Sequence, residues 1–393
     1  MNQKELAGSG RGTLLAGVVA LIIGLVSAGV FAAGGTAALA APAVLEGDFA
    51  SAIVIDAATG MTLVAVNERE LRQPASMLKM MTELIVLERV AKGDLRLEDK
   101  VRVSAKASKM GGSQVYLAHG EEFPVVELLH ALAIHSANDA SAALAEHVAG
   151  STEAFVDLMN LRAKELGMTD TVFHTVHGLP PAWNQEPDIT SARDMAILGR
   201  ELIRHPEALE WASVKTMPFR DGKFTLHNPN KLVGTYRGLD GIKTGYTAPA
   251  GFCVTASAVQ MGTRLISVVM GCPSDNGRAN ETTRLLSYGF NLYTQVPLLA
   301  ADGKPLPQAL EVRGGKAKEA AVTAAQELVV NVPRDRADQV TVVYRLPAAE
   351  APLLAGAQVG QAVALLDGIE LGSVPVVTTA DVAKGNWLDR LFR

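Results

Sequence analysis

Apolar residues are spaced along this chain in ways that change from one region to the next. Residues 14–33 are almost wholly apolar, and no charge occurs between Thr13 and Pro42. Lys4 and Arg11 precede that block and Ala38-Leu39-Ala40 follows it in the A-x-A pattern, so residues 1–40 read as an export signal cleaved after Ala40. An uncleaved anchor is the competing reading, because about 20 apolar residues can span a bilayer. Either way the rest of the chain is expected to work outside the cytoplasm. Residues 51–66 alternate about an A-A-T-G turn and predict a β-hairpin. Pro74 then opens a run of helix formers over 75–92, with apolar residues at helical spacing and Gly93 beyond the end. Residues 125–148 predict two buried helices interrupted near 135–139. A second hairpin is expected from 251–260 and 264–271 around Met261-Gly262-Thr263.

Strands at both ends of a helical region predict an α/β (α+β) domain, one antiparallel sheet packed by helices. Around residues 296–307 the composition shifts to Pro, Gly and Ala, as in a linker. Beyond it, 328–332, 339–346, 361–367 and 370–377 read as strands of a small all-β domain. The expected organisation is a signal over 1–40, a catalytic domain over 41–297, a β-rich domain over 298–380 and an amphipathic tail over 381–393. In that tail Trp387, Leu388, Leu391 and Phe392 recur at helical spacing beside Arg390 and Arg393.

Composition narrows the class. A 393-residue chain that is 48% hydrophobic and 20% charged can bury a sizeable core, which excludes a disordered protein. A net charge of -5 leaves no general basic footprint, so nucleic acid is not the expected partner. The 2 cysteines form neither a disulfide framework nor a four-cysteine zinc site. His119, His130, His135, His147, His174 and His177 fall into no metal-ligand spacing such as H-E-x-x-H, so no metal and no cofactor is expected. No G-x-S-x-G surrounds Ser76, which argues against a Ser-His-Asp triad there.

Three short motifs carry the chemistry. Ser76-Met77-Leu78-Lys79 places a hydroxyl and an amine three residues apart at a helix start, on one face. A serine is a weak nucleophile until a base takes its proton, and a desolvated neutral lysine can be that base. Ser136-Ala137-Asn138 stands in the break between two apolar helices, offering a hydroxyl for proton relay and an amide for substrate, or else ordinary helix N-caps. Lys243-Thr244-Gly245, followed by Tyr246, offers a cation, a hydroxyl for a carboxylate and a glycine that permits close backbone approach. Asp139 and Glu146 read as helix-surface charges. Cys253 and Cys272 lie almost symmetrically about the second hairpin turn, either as a cross-strand disulfide or as two buried thiols.

The trio in this order occurs in penicillin-binding proteins and class A β-lactamases. The segments R-Q-P-A-S-M-L-K-M-M-T, H-S-A-N-D-A-S, T-V-F-H-T-V-H-G-L, H-N-P-N-K-L-V and G-I-K-T-G-Y-T resemble the low-molecular-mass penicillin-binding proteins. More narrowly, they are similar to the serine-type D-alanyl-D-alanine carboxypeptidases of peptidase family S11. The resemblance implies that Ser76 attacks the carbonyl between two D-alanines of a peptidoglycan stem peptide, that Lys79 is the general base, and that β-lactams acylate Ser76. It implies that Ser136 and Lys243 pass the proton to the departing amine and that Asn138 positions the peptide. Backbone N–H groups of Ser76 and Tyr246 would form the oxyanion hole, and Thr244 and Arg278 would hold the terminal carboxylate. An ion pair of Arg278 with Glu281 is the alternative for that arginine. Leu78 stands where the relatives usually have Thr, and Tyr246 where many have His. The working compartment implied is the periplasm or the outer face of the bacterial cytoplasmic membrane, with peripheral inner-membrane contact through the tail. A β-lactamase is the rival enzyme, but no E-x-x-L-N-like segment lies between residues 139 and 243 to drive water onto the acyl-enzyme. A penicillin-binding scaffold without turnover is the rival of another class.

Overall fold

The computed structural model describes residues 45–181 and 183–386. The proposed signal over 1–40, and residues 387–393 of the tail, lie outside the described residues. Among the described residues no helix is long and apolar enough to cross a membrane.

The first expected hairpin is β1 (Ser51–Asp56) and β2 (Thr62–Val66). Its turn is pinned by Asp56, whose carboxylate accepts from the backbone N–H and the hydroxyl of Thr59. A 3₁₀ turn over Ala75–Leu78 then leads into α1 (Lys79–Lys92), which stops at Gly93 in the left-handed region, φ 79°. The two helices expected over 125–148 are α2 (Val125–His135) and α3 (Asn138–Ala149). They are followed by α4 (Thr152–Glu165), α5 (Ala192–Leu202) and α6 (Pro206–Ala212). A small hairpin of β3 (Thr216–Phe219) and β4 (Phe224–His227) precedes β5 (Leu239–Thr247), β6 (Gly251–Gln260) and β7 (Thr263–Cys272). The domain closes with α7 (Asp275–Asn291).

The main sheet has the order β2-β1-β7-β6-β5, antiparallel throughout, so β5 is an edge strand. Its strands are apolar on both faces because both faces are covered. On β1, Ile53 and Ile55 join the core built with α1 to α5, while Ala52 and Val54 pack with Leu285, Leu286 and Phe290 of α7. This three-layer arrangement meets the expectation of one antiparallel sheet packed by helices.

The residues read as the start of a linker are structured. Strand β8 (Tyr293–Leu299) pairs with β9 (Leu328–Pro333), so the β-rich domain begins within the stretch assigned to the catalytic domain. Further on, β10 (Thr341–Arg345), β11 (Gln358–Leu366) and β12 (Ile369–Thr378) form an antiparallel sheet over a separate apolar core. Tyr293 donates to Asp56 at 2.6 Å and Asn331 to Thr263 Oγ1 at 2.8 Å, tying β8 and β9 to the main sheet.

Cys253 and Cys272 are both buried free thiols, so the disulfide alternative does not hold in this structure. The reason is register: a bulge between Phe252 and Val254 puts Phe252, not Cys253, opposite Cys272.

Candidate active site

The serine and lysine of S-x-x-K meet because the turn before α1 is 3₁₀. With 3.0 residues per turn, side chains at i and i+3 eclipse. Lys79 Nζ therefore reaches Ser76 Oγ at 2.8 Å and also donates to the carbonyl of His177 at 2.8 Å. Lys79 is 0% exposed, and burial together with the nearby Lys243 cation holds its pKa well below the ordinary lysine value. It is thereby poised to be neutral and to accept a proton. Ala75, at φ 48°, sets the turn, and Gly178 lets the 177–178 loop come up against it, since a Cβ there would stand 2.1 Å from Ala75 O. Leu78 is fully buried in the core beneath.

The break between α2 and α3 supplies the second motif. Ser136 ends α2 in the left-handed region (φ 63°, ψ 31°), and Asn138 is the first residue of α3. The residue preceding α3 is Ala137, with no side-chain cap, so neither Ser136 nor Asn138 is an N-cap. Asn138 Nδ2 donates to Gly111 O and its backbone N–H to Ser113 O, both at 2.7 Å. Among the described residues its Oδ1 and the Ser136 Oγ are buried without a partner, which leaves both free for a ligand. Asp139 is not the surface charge read from sequence. It is 1% exposed and accepts from the N–H groups of Val115 and Leu117, fixing the loop that cradles Asn138.

The third motif lies on edge strand β5. A Cβ on Gly245 would stand 2.8 Å from Pro74 O and 3.1 Å from the amide nitrogens of Ser76 and Met77, so glycine lets the strand close on the nucleophile turn. Lys243 is 2% exposed and donates to Thr244 O at 3.1 Å. Burial brings its pKa down to about 7, opposed by Glu83 and reinforced by Arg278. Thr244 is buried at the cleft wall, whereas Tyr246 is exposed and stacks on Phe252 with ring centroids 4.1 Å apart. Arg278 is buried, donates to the carbonyls of Cys253 (3.2 Å) and Pro229 (3.4 Å), and pairs with Asp275. The pairing with Glu281 does not form, because Glu281 is taken by Arg284 at 2.7 Å. Asp275 is shared with Lys231 at 2.7 Å.

Ser76, Ser136, Thr244, Gly245, Tyr246 and Arg278 line one cleft of about 590 Å³, with Lys79, Asn138 and Lys243 immediately behind its walls. A larger hollow of about 820 Å³ lies between the first hairpin and α5, where arginines predominate among the charged groups and, among the described residues, no serine or cysteine stands. The chemistry belongs to the smaller cleft. Cys253 does not line it, and bears on it through the carbonyl that accepts from Arg278. Sequence reasoning missed Asp275, the His177 carbonyl and a buried carboxyl, Glu83, whose only sequence signal is a lone acid inside an otherwise uncharged stretch of α1 after Lys79.

Comparison with known proteins identifies the family. Residues 38–274 match the family model described as D-alanyl-D-alanine carboxypeptidase, and 293–384 match that of the penicillin-binding protein 5 C-terminal domain. The D-alanyl-D-alanine carboxypeptidase DacF of Bacillus subtilis is 37% identical over 87% of this chain and 88% of its own. The crystal structure of the carboxypeptidase DacD from Francisella tularensis superposes with a TM-score of 0.62 at 30% identity, over 88% of this chain and 96% of that one. Penicillin-binding protein D2 of Listeria monocytogenes, solved with bound ampicillin, gives 0.58 at 31% identity, over 63% and 98%.

Proposed function

The chain belongs to the D-alanyl-D-alanine carboxypeptidase family, and from that premise we propose how its cleft divides the work. The enzyme removes the terminal D-alanine from peptidoglycan stem pentapeptides through an acyl-enzyme on Ser76, and β-lactams acylate the same oxygen. The observation that carries this reading is the 2.8 Å contact of a fully buried, pKa-lowered Lys79 with Ser76 Oγ. Neutral Lys79 takes the Ser76 proton as Oγ adds to the carbonyl carbon between the two D-alanines. The backbone N–H groups of Ser76 and Tyr246 meet the oxyanion, each donor contributing about 3 kcal/mol in comparable sites. The C–N bond then breaks, and the departing amine receives a proton passed through Ser136 from Lys79, with the Lys243 ammonium alongside. Water adds to the ester and gives a proton to Lys79, which returns it to Ser76 Oγ as the C–O bond breaks and the shortened peptide leaves. Thr244 and Arg278 hold the terminal carboxylate, while Asn138 Oδ1 accepts from a substrate amide.

Arg278 is available for that task because its own counter-ion, Asp275, is divided between it and Lys231. The same pairings bear on the rival β-lactamase reading. Among the described residues, Asp275 is the carboxylate lining the cleft, and two cations engage it, so no free carboxylate stands ready to drive water onto a penicilloyl ester. The deciding experiment measures free D-alanine from a stem pentapeptide together with penicillin consumption. Peptide turnover with slow penicillin turnover is expected. Faster penicillin hydrolysis would make the protein a β-lactamase, and covalent capture without D-alanine release would make it a scaffold.

Gly245→Ala tests the fit of β5 against the nucleophile turn. Each atom the new methyl meets is backbone, so the turn must shift. A misplacement of about 1 Å costs about 100-fold in rate, and these contacts ask for a smaller shift, so a loss of rate below that figure is expected. Stopped-flow acylation by a fluorescent penicillin should show that loss, and an unchanged rate would refute the close approach as a functional requirement.

The proposal also places the enzyme in the periplasm or on the outer face of the bacterial cytoplasmic membrane. The apolar block and A-x-A of residues 1–40 support export, and the amphipathic pattern of residues 381–393 supports peripheral membrane contact.

A further inference from the structure

Side chains alternate between the two faces of β5, so Thr244 and Tyr246 share one face while Gly245 meets the nucleophile turn on the other. The face of Thr244 and Tyr246 is the one that α7 covers. Val254, directly opposite Thr244 on β6, packs in the core that Leu285 and Leu286 of α7 complete. Phe252, two residues before Val254, stands on that face as well, opposite Tyr246 and diagonal to Thr244.

Two contacts hold the Phe252 ring. It stacks on the Tyr246 ring, with centroids 4.1 Å and planes 27° apart. The Arg278 guanidinium carbon lies 5.8 Å from its centroid, and Arg278 donates at 3.2 Å to the carbonyl of the next residue, Cys253. Phe252 is half-buried and lines the cleft together with Thr244, Tyr246 and Arg278. None of the chemical steps assigned to the cleft uses either aromatic ring, so their placement there calls for another role.

The leaving residue of the substrate is fixed at both ends beside that ring. Its carboxylate lies between Thr244 and Arg278, and the carbonyl preceding it meets the Tyr246 N–H. The residue therefore runs along the stretch from Thr244 to Tyr246, and Phe252 is the side chain that flanks this stretch from β6. We propose that Phe252, stacked on Tyr246, is a specificity-determining residue of the carboxypeptidase reaction: its ring walls the subsite of the leaving residue and restricts it to side chains about the size of a methyl group. This rests on the reading of the cleft given above. A longer side chain must displace a ring that Tyr246 and Arg278 both hold in place.

The test compares kcat/KM for release of the last residue from two peptides, one ending in D-Ala-D-Ala and the other in D-Ala-D-Leu. The wild type is expected to favour the first by about 100-fold, within the range set by added methylenes in a closed pocket. In Phe252→Ala that preference shrinks by about tenfold or more, because D-leucine gains room that D-alanine does not need. Tyr246→Ala changes an exposed side chain, keeps the backbone N–H and removes the stack, so it moves the preference the same way by a smaller factor. A preference unchanged in both variants, or a rate lost equally for both peptides, would overturn the proposal. Calorimetric binding of the two peptides to Ser76→Ala, with and without Phe252→Ala, reads the wall without turnover. Discrimination against D-leucine shrinks there if the proposal holds and stays in place if it does not. No release from either peptide by the wild type, with the binding discrimination still moved by Phe252→Ala, would count against the enzymatic reading alone.

Discussion

Ser76→Ala is expected to abolish both D-alanine release and covalent penicillin capture while leaving the fold and peptide binding in place. The substitution removes one oxygen from a turn whose shape is set by backbone: Met77 N–H donates to Pro74 O, and the Lys79 N–H to the carbonyls of Ser76 and Met77. Lys79 retains its second anchor, the carbonyl of His177 at 2.8 Å, so the base stays where it is. Asn138, Thr244 and Arg278, the groups assigned to the peptide, are untouched. Loss of a serine nucleophile in this class of chemistry costs about 10⁶-fold in turnover. Intact-mass spectrometry after incubation with penicillin should show no adduct on the variant and one on the wild type. Calorimetry should still detect the stem peptide. An adduct on Ser76→Ala would remove the nucleophile from this position altogether.

What the sequence could show follows the physics of each motif. The Ser76–Lys79 pairing was legible because residues i and i+3 share a face in any helical turn, and the 3₁₀ turn that brings them into contact begins at the same place. The break at Ser136 was legible because two apolar runs flank polar residues that no core would accept. Gly245 was read as a site of close approach, but which backbone it approaches depends on how the sheet edge meets the turn, a tertiary fact. Register was the weak point. The symmetric placement of Cys253 and Cys272 assumed a regular ladder, and a single bulge moves one of them out of opposition. Arg278 illustrates the same limit, since i+3 and i−3 acids compete for it and only the packing of α7 sends it to Asp275. Glu83 was invisible for the opposite reason. A lone acid on a helix normally marks the solvent face, and only the burial of α1 on every side makes it internal.

Lys79→Met removes the base without removing the stem that fills its pocket, and it should lower the acylation rate by about 10³- to 10⁴-fold, the upper range for a positioned general base. Only the neutral amine accepts a proton, so the wild-type rate rises with pH through the Lys79 pKa, which burial has carried well below the ordinary value. At the other end, charged Lys243 is lost as pH rises through about 7. The wild-type profile is therefore a bell, and Lys79→Met should lose its acid limb while keeping the alkaline one. Stability moves the other way. For a lysine whose folded pKa is depressed, the unfolded chain binds more protons between the folded and unfolded values. Its contribution to stability is present above the unfolded value and lost as pH falls through the folded one. Neutral pH lies below the unfolded value, so there this lysine disfavours folding. A methionine in the same buried slot carries no such cost, so Lys79→Met should melt at a higher temperature than the wild type at pH 7, with the gap closing as pH approaches 10.5. A variant that loses activity and also melts lower at pH 7 would show that Lys79 is held as a buried, paired ammonium, and the base would have to be sought elsewhere.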